Sequence, residues 1–187
     1  QAPYNYLRCT PIDGTTKVSV VYNTDAVTAN KTHNSTTLII PETVSDGSTT
    51  YTVTEIGYQG FRNITNITQI DLPNTLTKIG YKAFAQCNQL RNNTDYEGES
   101  GIIIPESVAE IRGGDLSGIT SYLTSLSVAK NNKTYDSRED CNAIIHTESN
   151  SLIRGCAKTI IPESVTEIGE KAFSYCSTLT NINIPES

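Results

Sequence analysis

The chain has 187 residues and a formal net charge of −6 at pH 7, with its acidic residues scattered along the sequence. This balance argues against nucleic acid as a partner, because phosphate binding requires a cationic face. No apolar run approaches the roughly 20 residues that a membrane-spanning helix needs. Methionine is absent, which favours a processed protein whose signal peptide was removed, and we therefore expect an extracellular or cell-surface location.

The first segment, residues 1–37, differs in pattern from the rest of the chain. Within it KVSVVY is rich in β-formers that alternate with polar residues, and Thr, Asn and Gly surround it, which predicts a β-hairpin. The first open face of a repeat array has to be closed by an atypical unit. We therefore expect residues 1–37 to form an N-terminal β cap.

Residues 38–187 contain an internal repeat in which a short apolar strand ends at a proline or its equivalent. Proline lacks the N–H that would continue a strand ladder. A unit of this size carries one apolar stripe, which it cannot bury alone, so it must stack on copies of itself. The equivalent positions are Pro41, Pro73, Pro105, Ala129, Pro162 and Pro185, with spacings of 32, 32, 24, 33 and 23 residues.

Three repeats also carry a large apolar residue 11 positions after the proline, at Phe84, Leu116 and Phe173, and Phe61 matches them once the insertion at residues 45–53 is left out. Phe173 lies 11 residues after Pro162 in the stretch GEKAFS, residues 169–174, which is long enough for one helical or 3-10 turn. Helix content should therefore be low. Cys87 and Cys176 each follow this apolar position by three residues, and we predict that both are small buried core residues.

Three insertions interrupt the repeats. The segment SDGSTTYTV, residues 45–53, contains an Asp-Gly turn signal followed by β-formers, which predicts a hairpin. The polar segment RNNTDYEGESG, residues 91–101, predicts a surface loop. The segment TYDSREDCNAIIHTESNSLIRGC, residues 134–156, predicts a second hairpin with its turn at TESN. Loops on a rigid array commonly carry contacts, so all three are candidate recognition elements.

Five cysteines leave at least one outside any intramolecular bridge. Pairing Ile145 with Leu152 in the second hairpin brings Cys141 opposite Cys156. This placement permits a cross-strand disulfide, although two buried core thiols are the favoured interpretation.

The repeats IPESVTEIGEKAFSYCSTLTNINIPES and LPNTLTKIGYKAFAQCNQL resemble the BspA-like, or Treponema pallidum type, leucine-rich repeat. The segment NNKTYDSREDCNAIIHTESNSLIRGCAKTIIP is similar to an extended unit in proteins of gut and oral Bacteroidetes. The resemblance covers residues 38–187. It departs from the pattern at Ala129, which replaces proline, and at Arg112 and Gly113, which replace Ile-Gly and mark one irregular turn.

The resemblance implies a leucine-rich-repeat solenoid of the right-handed α/β superhelix class, mostly β with short helical or 3-10 turns. It implies a parallel concave sheet, five to six turns and a surface or secreted protein that binds host matrix proteins or other cells. The chain stops at INIPES, which opens another turn. We expect further repeats beyond Ser187 or self-association through this end.

Side chains that alternate with the core positions of each strand face outward. On a concave sheet they form two columns, where such folds usually bind ligands. Three isoleucines among them are unusual on a polar sheet and indicate a contact patch, although β-propensity or cover by the hairpins explains them as well. The candidate ligand-binding residues are Ile39, Gln69, Asp71, Ile103, Ser125, Ser127, Lys158, Ile160, Asn181 and Asn183.

The sequence contains no motif for catalysis, a cofactor or a metal ion. His33 and His146 are the only histidines and lie far apart, and GxSxG, HExxH and CxxC do not occur. The spaced acids of residues 95–99 and 136–140 do not follow the EF-hand ligand pattern. We therefore predict a non-enzymatic protein without a cofactor.

Two functions fit this sequence. The first is an adhesion or recognition module that binds host or cell-surface proteins through the concave sheet and the hairpins. The alternative is a carbohydrate-binding surface protein in which exposed tyrosines, Tyr58, Tyr81, Tyr96 and Tyr135, stack on sugars. Tyr58, Tyr81 and Tyr175 occupy repeat positions, so packing accounts for them equally well.

Overall fold

The computed structural model describes residues 4–23, 35–87, 90, 101–111, 116 and 123–186. In these residues one 3-10 helix, Arg138–Asp140, accompanies fourteen strands, so the expected low helix content is confirmed there. The strands are β1 (Leu7–Pro11), β2 (Lys17–Tyr22), β3 (Thr37–Ile39), β4 (Thr43–Ser45), β5 (Thr50–Ile56), β6 (Gln69–Asp71), β7 (Lys78–Ile79), β8 (Gly101–Ile104), β9 (Glu110–Ile111), β10 (Ser125–Val128), β11 (Tyr135–Asp136), β12 (Ala143–His146), β13 (Ser151–Gly155) and β14 (Glu167–Ile168).

The strands that end next to a repeat proline, or next to Ala129, pair in parallel. β3 pairs with β6, and β8 pairs with β10, in the alignment that the repeat spacing predicts. A single parallel sheet was expected, and this expectation was wrong for the described residues. They form two separate two-stranded sheets, because no ladder of backbone hydrogen bonds joins β6 to β8 there.

A second set of strands forms a larger sheet. The repeat pattern predicts only a buried apolar residue at these positions, not a strand. The order of the sheet is β1-β2-β5-β7-β9, with β4 paired to β5. β2, β5, β7 and β9 are parallel to one another, whereas β1 is antiparallel to β2 and β4 is antiparallel to β5. Both predicted hairpins in this region are confirmed as β1-β2 and β4-β5.

The apolar core contains side chains from both sets of strands and from the turns between them. Phe61 and Phe84 stack with ring centroids 5.8 Å apart and planes at 12°, and both are buried. Cys87 is buried as predicted, and its thiol donates to the Phe61 carbonyl at 3.1 Å. Cys176 is also buried, whereas Phe173 is only half-buried.

The turns after the second strands were predicted to hold a helical or 3-10 turn, and this was wrong. They are successive hydrogen-bonded turns in which single residues adopt the left-handed conformation, which a continuous helix does not allow. Lys82 and Gln86 have φ of 54° and 64°, and Lys171 and Tyr175, at the equivalent positions, have φ of 62° and 63°. We call residues 57–63, 80–86 and 169–175 the turn ladder.

Backbone hydrogen bonds join adjacent members of the turn ladder. The N–H groups of Gln59, Phe61 and Asn63 donate to the carbonyls of Tyr81, Ala83 and Ala85 at 3.0, 2.7 and 2.9 Å. Each turn therefore satisfies polar groups of the next, which buried backbone requires.

The hydroxyl residues two positions after Pro73 and Pro105 also join consecutive repeats. The Thr75 hydroxyl donates to the Val53 carbonyl at 2.7 Å, and the Ser107 hydroxyl donates to the Leu76 carbonyl at 2.7 Å. Each hydroxyl thus binds a carbonyl of the preceding repeat. At these two repeats the contact accounts for the Ser or Thr in the sequence Pro-x-Ser/Thr.

The second predicted hairpin is confirmed as β12-β13, and Ile145 pairs with Leu152 as predicted. The expected alignment of Cys141 with Cys156 was wrong. A bulge at Ile153 shifts the register by one residue, so that Ile144 pairs with Arg154. All five cysteines are free, and Cys141 and Cys156 belong to different apolar clusters.

The bulge also directs Arg154 into the protein interior, where 1% of its surface is exposed. Its guanidinium donates to the backbone carbonyls of Lys171 and Ser174. Next to it, the Gly155 N–H donates to the Ala172 carbonyl at 3.0 Å. Arg154 thereby connects the inserted hairpin to the last turn of the ladder.

Replacing Gly80 tests the close stacking of the turns. A Cβ at this position would lie 2.6 Å from the Ile56 carbonyl oxygen and 2.7 Å from the Gly57 carbonyl carbon. Neither backbone group can move without opening the ladder, so we expect Gly80→Ala to lower the free energy of unfolding by about 1–3 kcal/mol. Urea denaturation followed by circular dichroism measures this change.

Gly169→Ala is the matched control, since its Cβ would meet its nearest atom, the Leu152 carbonyl oxygen, at 3.1 Å. We expect a smaller loss for this variant. An equal loss in both variants would contradict the role of the Gly80 contact.

Thiol labelling tests the state of the cysteines. Burial raises the pKa of Cys87 and of Cys141 to about 11, so few of these thiols ionise near pH 8, and the thiolate is the reactive form. We expect a thiol reagent to modify the half-buried Cys9 first in the folded protein, and all five thiols after unfolding without reductant. A count of three after unfolding would indicate a bridge and contradict this assignment.

Candidate ligand-binding face

The outward side chains of the four proline-linked strands lie on two two-stranded sheets, β3-β6 and β8-β10. We call the outward positions of β3, β6, β8 and β10 the outward strand face. Ile39 is 46% exposed and Ile103 is 57% exposed, whereas the alternate residues Leu38 and Ile104 are buried. Successive side chains of a strand point to opposite faces, so burial of Leu38 and Ile104 leaves the adjacent Ile39 and Ile103 in solvent.

Strand register aligns the predicted candidates across each pair. Ile39 lies opposite Asp71 in β3-β6, and Ile103 lies opposite Ser127 in β8-β10. The Gln69 side-chain amide donates to the Asp71 carboxylate at 3.3 Å. This face therefore combines exposed aliphatic groups with hydrogen-bonding groups on the adjacent strands.

Ser125 lies on β10 opposite Gly101, but the four remaining candidates do not lie on strands. Lys158, Ile160, Asn181 and Asn183 are all exposed, but residues 157–161 and 179–186 contain no strand. Their placement on a regular sheet was wrong. The Ile160 N–H donates to the Cys141 carbonyl at 3.0 Å. This stretch is therefore hydrogen-bonded to the loop before the inserted hairpin and not to a proline-linked strand.

The N-terminal hairpin touches the edge of the outward strand face. The Tyr6 hydroxyl donates to the Ile39 carbonyl at 2.7 Å. Burial is the main cause that raises the pKa of Tyr6 to about 12, so the hydroxyl stays protonated at neutral pH and remains a donor. Sequence reasoning missed this contact because it joins residues 33 positions apart.

A separate groove lies between the two hairpins of the larger sheet. It has a volume of about 1030 Å³, and Leu7, Val18 and Tyr51 line it together with the half-buried Cys9. Burial raises the pKa of the Cys9 thiol, which disfavours the reactive thiolate. The sequence did not predict this groove, because its walls come from two segments far apart in the chain.

Asp46 forms the rim of this groove and organises the β4-β5 turn. Its carboxylate accepts from the Ser48 and Thr49 N–H groups at 2.9 and 2.8 Å and from the Ser48 hydroxyl at 2.8 Å. These hydrogen bonds, with the Thr49 N–H first, lower the pKa of Asp46 to about 2.

The lowered pKa predicts an acid-sensitive turn. The charged carboxylate stabilises the fold fully above its unfolded pKa, about 3.9, and the benefit is lost as pH falls through the folded value. We expect Asp46→Ala to lower the thermal midpoint at pH 7. Between about pH 4 and pH 2 the midpoint of this variant should fall less than that of the parent protein. Thermal unfolding followed by circular dichroism measures both. Glu42→Ala, an exposed acid beside the same hairpin, should change neither, and an unchanged midpoint for Asp46→Ala would contradict the assignment.

The structure separates the tyrosines that the sequence grouped as sugar-stacking candidates. Tyr135 is 5% exposed, and its hydroxyl accepts from the Ile111 N–H at 2.9 Å, so its predicted exposure was wrong. The residue packs between repeats instead. Tyr96 lies outside the described residues. Tyr58 is exposed and Tyr81 is partly exposed.

Two further observations concern other classes of site. Within the described ranges, no group of three or more His, Cys, Asp or Glu residues is arranged to hold a metal ion. Asp136, in the acidic segment 136–140, instead binds the Arg138 guanidinium at 2.7 Å. The described part of the chain also contains no helix that is long and apolar enough to cross a membrane. His33 and the acids of residues 95–99 lie outside the described residues.

The repeat geometry corresponds to a known family. The BspA type leucine rich repeat region matches residues 30–139 and 155–187 in six copies. The chain belongs to this family. The resemblance found in the repeat motifs is thereby confirmed. The internal gap in this match, residues 140–154, includes β12 and most of β13, so the second hairpin is an insertion relative to the family repeat.

Solved structures agree on the fold. A leucine-rich repeat protein from Bacteroides ovatus matches 96% of this chain with a TM-score of 0.61 and 25% identity. The T. pallidum leucine rich repeat protein matches 98% of it with a TM-score of 0.55 and 19% identity. A leucine-rich repeat protein from Bacteroides capillosus matches 67% of it with a TM-score of 0.50 and 21% identity. These likenesses establish a leucine-rich-repeat fold.

The lengths of these proteins differ from that of the present chain. The chain spans 40% of the Bacteroides ovatus protein, 71% of the T. pallidum protein and 95% of the Bacteroides capillosus protein. A search among curated proteins found no sequence match.

Proposed function

We propose that this chain is a non-enzymatic recognition module of a cell-surface or secreted protein, and that it binds host or cell-surface proteins. The observation that carries the proposal is the pair of exposed isoleucines, Ile39 and Ile103, on the outward strand face. Large aliphatic side chains in solvent are characteristic of contact surfaces when they recur on an ordered scaffold. Membership of the BspA type family supports the same interpretation.

In this proposal the repeats form a solenoid, and the outward strand face is its concave side. The β1-β2 hairpin acts as the N-terminal cap, since β2 pairs with β5 and covers the first turn of the repeats. Residues 1–37 would then be the cap and residues 38–187 the repeat domain.

The chemistry of the face favours a protein ligand. Ile39 and Ile103 offer apolar surface without a deep pocket, and Asp71 and Ser127 stand opposite them with hydrogen-bonding groups. Protein interfaces combine an apolar centre with a polar rim in this way. Lys158, Ile160, Asn181 and Asn183 are exposed outside the regular strands.

Binding assays with a charged double variant test this proposal. The purified chain is measured by biolayer interferometry against immobilised extracellular-matrix and plasma proteins. We expect a protein ligand to bind, and Ile39→Glu/Ile103→Glu to weaken its binding about tenfold or more, because buried unpaired carboxylates are costly at an interface.

The matched control is Tyr175→Glu, which introduces the same charge at a large side chain that is 66% exposed on the turn ladder. The control should bind normally, and all variants should keep the circular dichroism spectrum of the parent. Binding that survives the double variant, or no binding by any protein on the panel, would overturn the proposal.

A further inference from the structure

Two tyrosines lie side by side on the turn ladder, away from the outward strand face. Tyr58 and Tyr81 each follow the first glycine of their turn, and their rings stack with centroids 6.0 Å apart and planes at 19°. Tyr58 is 68% exposed. An aromatic ring this exposed does not fill the core, and part of it is open to a ligand.

A polar frame surrounds this pair. The Arg62 guanidinium donates through Nε to Gln86 Oε1 and through Nη1 to Gln59 Oε1, both at 3.2 Å. Gln59 Nε2 in turn donates to the Tyr58 hydroxyl at 3.1 Å. The network crosses from one turn to the next and fixes the guanidinium beside the tyrosines.

The cations in this frame have neutral partners. Arg62 is held by two amide oxygens, and Lys82 Nζ lies 5.2 Å from the centre of the Tyr81 ring. Within the part of the chain that the structure describes, neither cation forms an ion pair. These two positioned cations lie on a chain whose net charge is −6.

We propose that this patch, formed by Tyr58, Gln59, Arg62, Tyr81, Lys82 and Gln86, binds an acidic polysaccharide that contains uronic acid. A pyranose ring presents an apolar face that suits stacking on tyrosine, an aromatic residue with a polar tip. The guanidinium matches a carboxylate in geometry and charge. The glutamine amides and the tyrosine hydroxyls supply donors and acceptors for sugar hydroxyl groups.

The arrangement favours a sugar acid over an acidic peptide. Stacked rings beside planar amides suit a flat, hydroxylated ligand, whereas a peptide gains little from the exposed ring face. The cations in turn favour an acidic sugar over a neutral one through charge complementarity. This site does not depend on the outward strand face, so the two proposals can fail separately.

The test uses the whole chain and three soluble polymers. Isothermal titration calorimetry measures binding to polygalacturonate oligomers, to neutral dextran and to polyglutamate. We expect polygalacturonate to bind, and Tyr58→Ala and Arg62→Gln each to weaken it about tenfold or more. Dextran and polyglutamate should bind much more weakly.

Matched controls distinguish the patch from general surface effects. Lys130→Gln removes an exposed cation outside the patch. It should leave binding unchanged, as should Ile39→Glu/Ile103→Glu.

Three results would overturn the proposal. The first is no binding of polygalacturonate. The second is equal binding of polyglutamate together with no effect of Tyr58→Ala, which would indicate a general anion patch. The third is binding of dextran as tight as that of polygalacturonate, which would show that the carboxylate of the sugar is not recognised. Circular dichroism and thermal midpoints for each variant ensure that lost binding is not lost folding.

Discussion

The backbone of one turn lies directly against the backbone of the next, and the described repeats depend on this contact. Gly80 leaves no room for a side chain between itself and Gly57, and the N–H groups of one turn bond the carbonyls of its neighbour. The separation of the turns is therefore set by hydrogen-bond length, which also brings Phe61 and Phe84 into contact. Apolar burial and backbone satisfaction are thus achieved by the same stacking.

The inserted hairpin shows how an irregular unit is fitted into this stacking. A bulge at Ile153 turns Arg154 into the interior, where its guanidinium binds carbonyls of the turn that follows. Burial of this guanidinium is costly without partners, and the backbone carbonyls supply them. A side chain thus joins the hairpin to the next turn, in addition to the backbone hydrogen bonds from Gly155 to Ala172 and from Gly169 to Leu152.

The same repeat presents two surfaces with different chemistry. The outward strand face carries aliphatic groups beside short polar groups, and it supports the proposed recognition of proteins. The turn ladder carries stacked tyrosines and cations held by amides, and it supports the proposed recognition of a sugar acid. Both surfaces exist because stacking aligns equivalent positions of consecutive repeats. When the same residue type occurs at one position of two consecutive repeats, the two side chains therefore lie side by side. Tyr58 and Tyr81 illustrate this alignment.

The sequence by itself determined the repeat, the four strands β3, β6, β8 and β10, the three hairpins and the burial of Cys87, because each depends on local pattern and spacing. Only the tertiary structure decided what depends on contacts between distant residues. The second set of strands was not predictable, since two residues such as Lys78–Ile79 become a strand only beside a neighbouring repeat. The bulge that separates Cys141 from Cys156, the burial of Tyr135 and the network around Arg62 arise in the same way, because a side chain's environment is set by the repeats that stack around it.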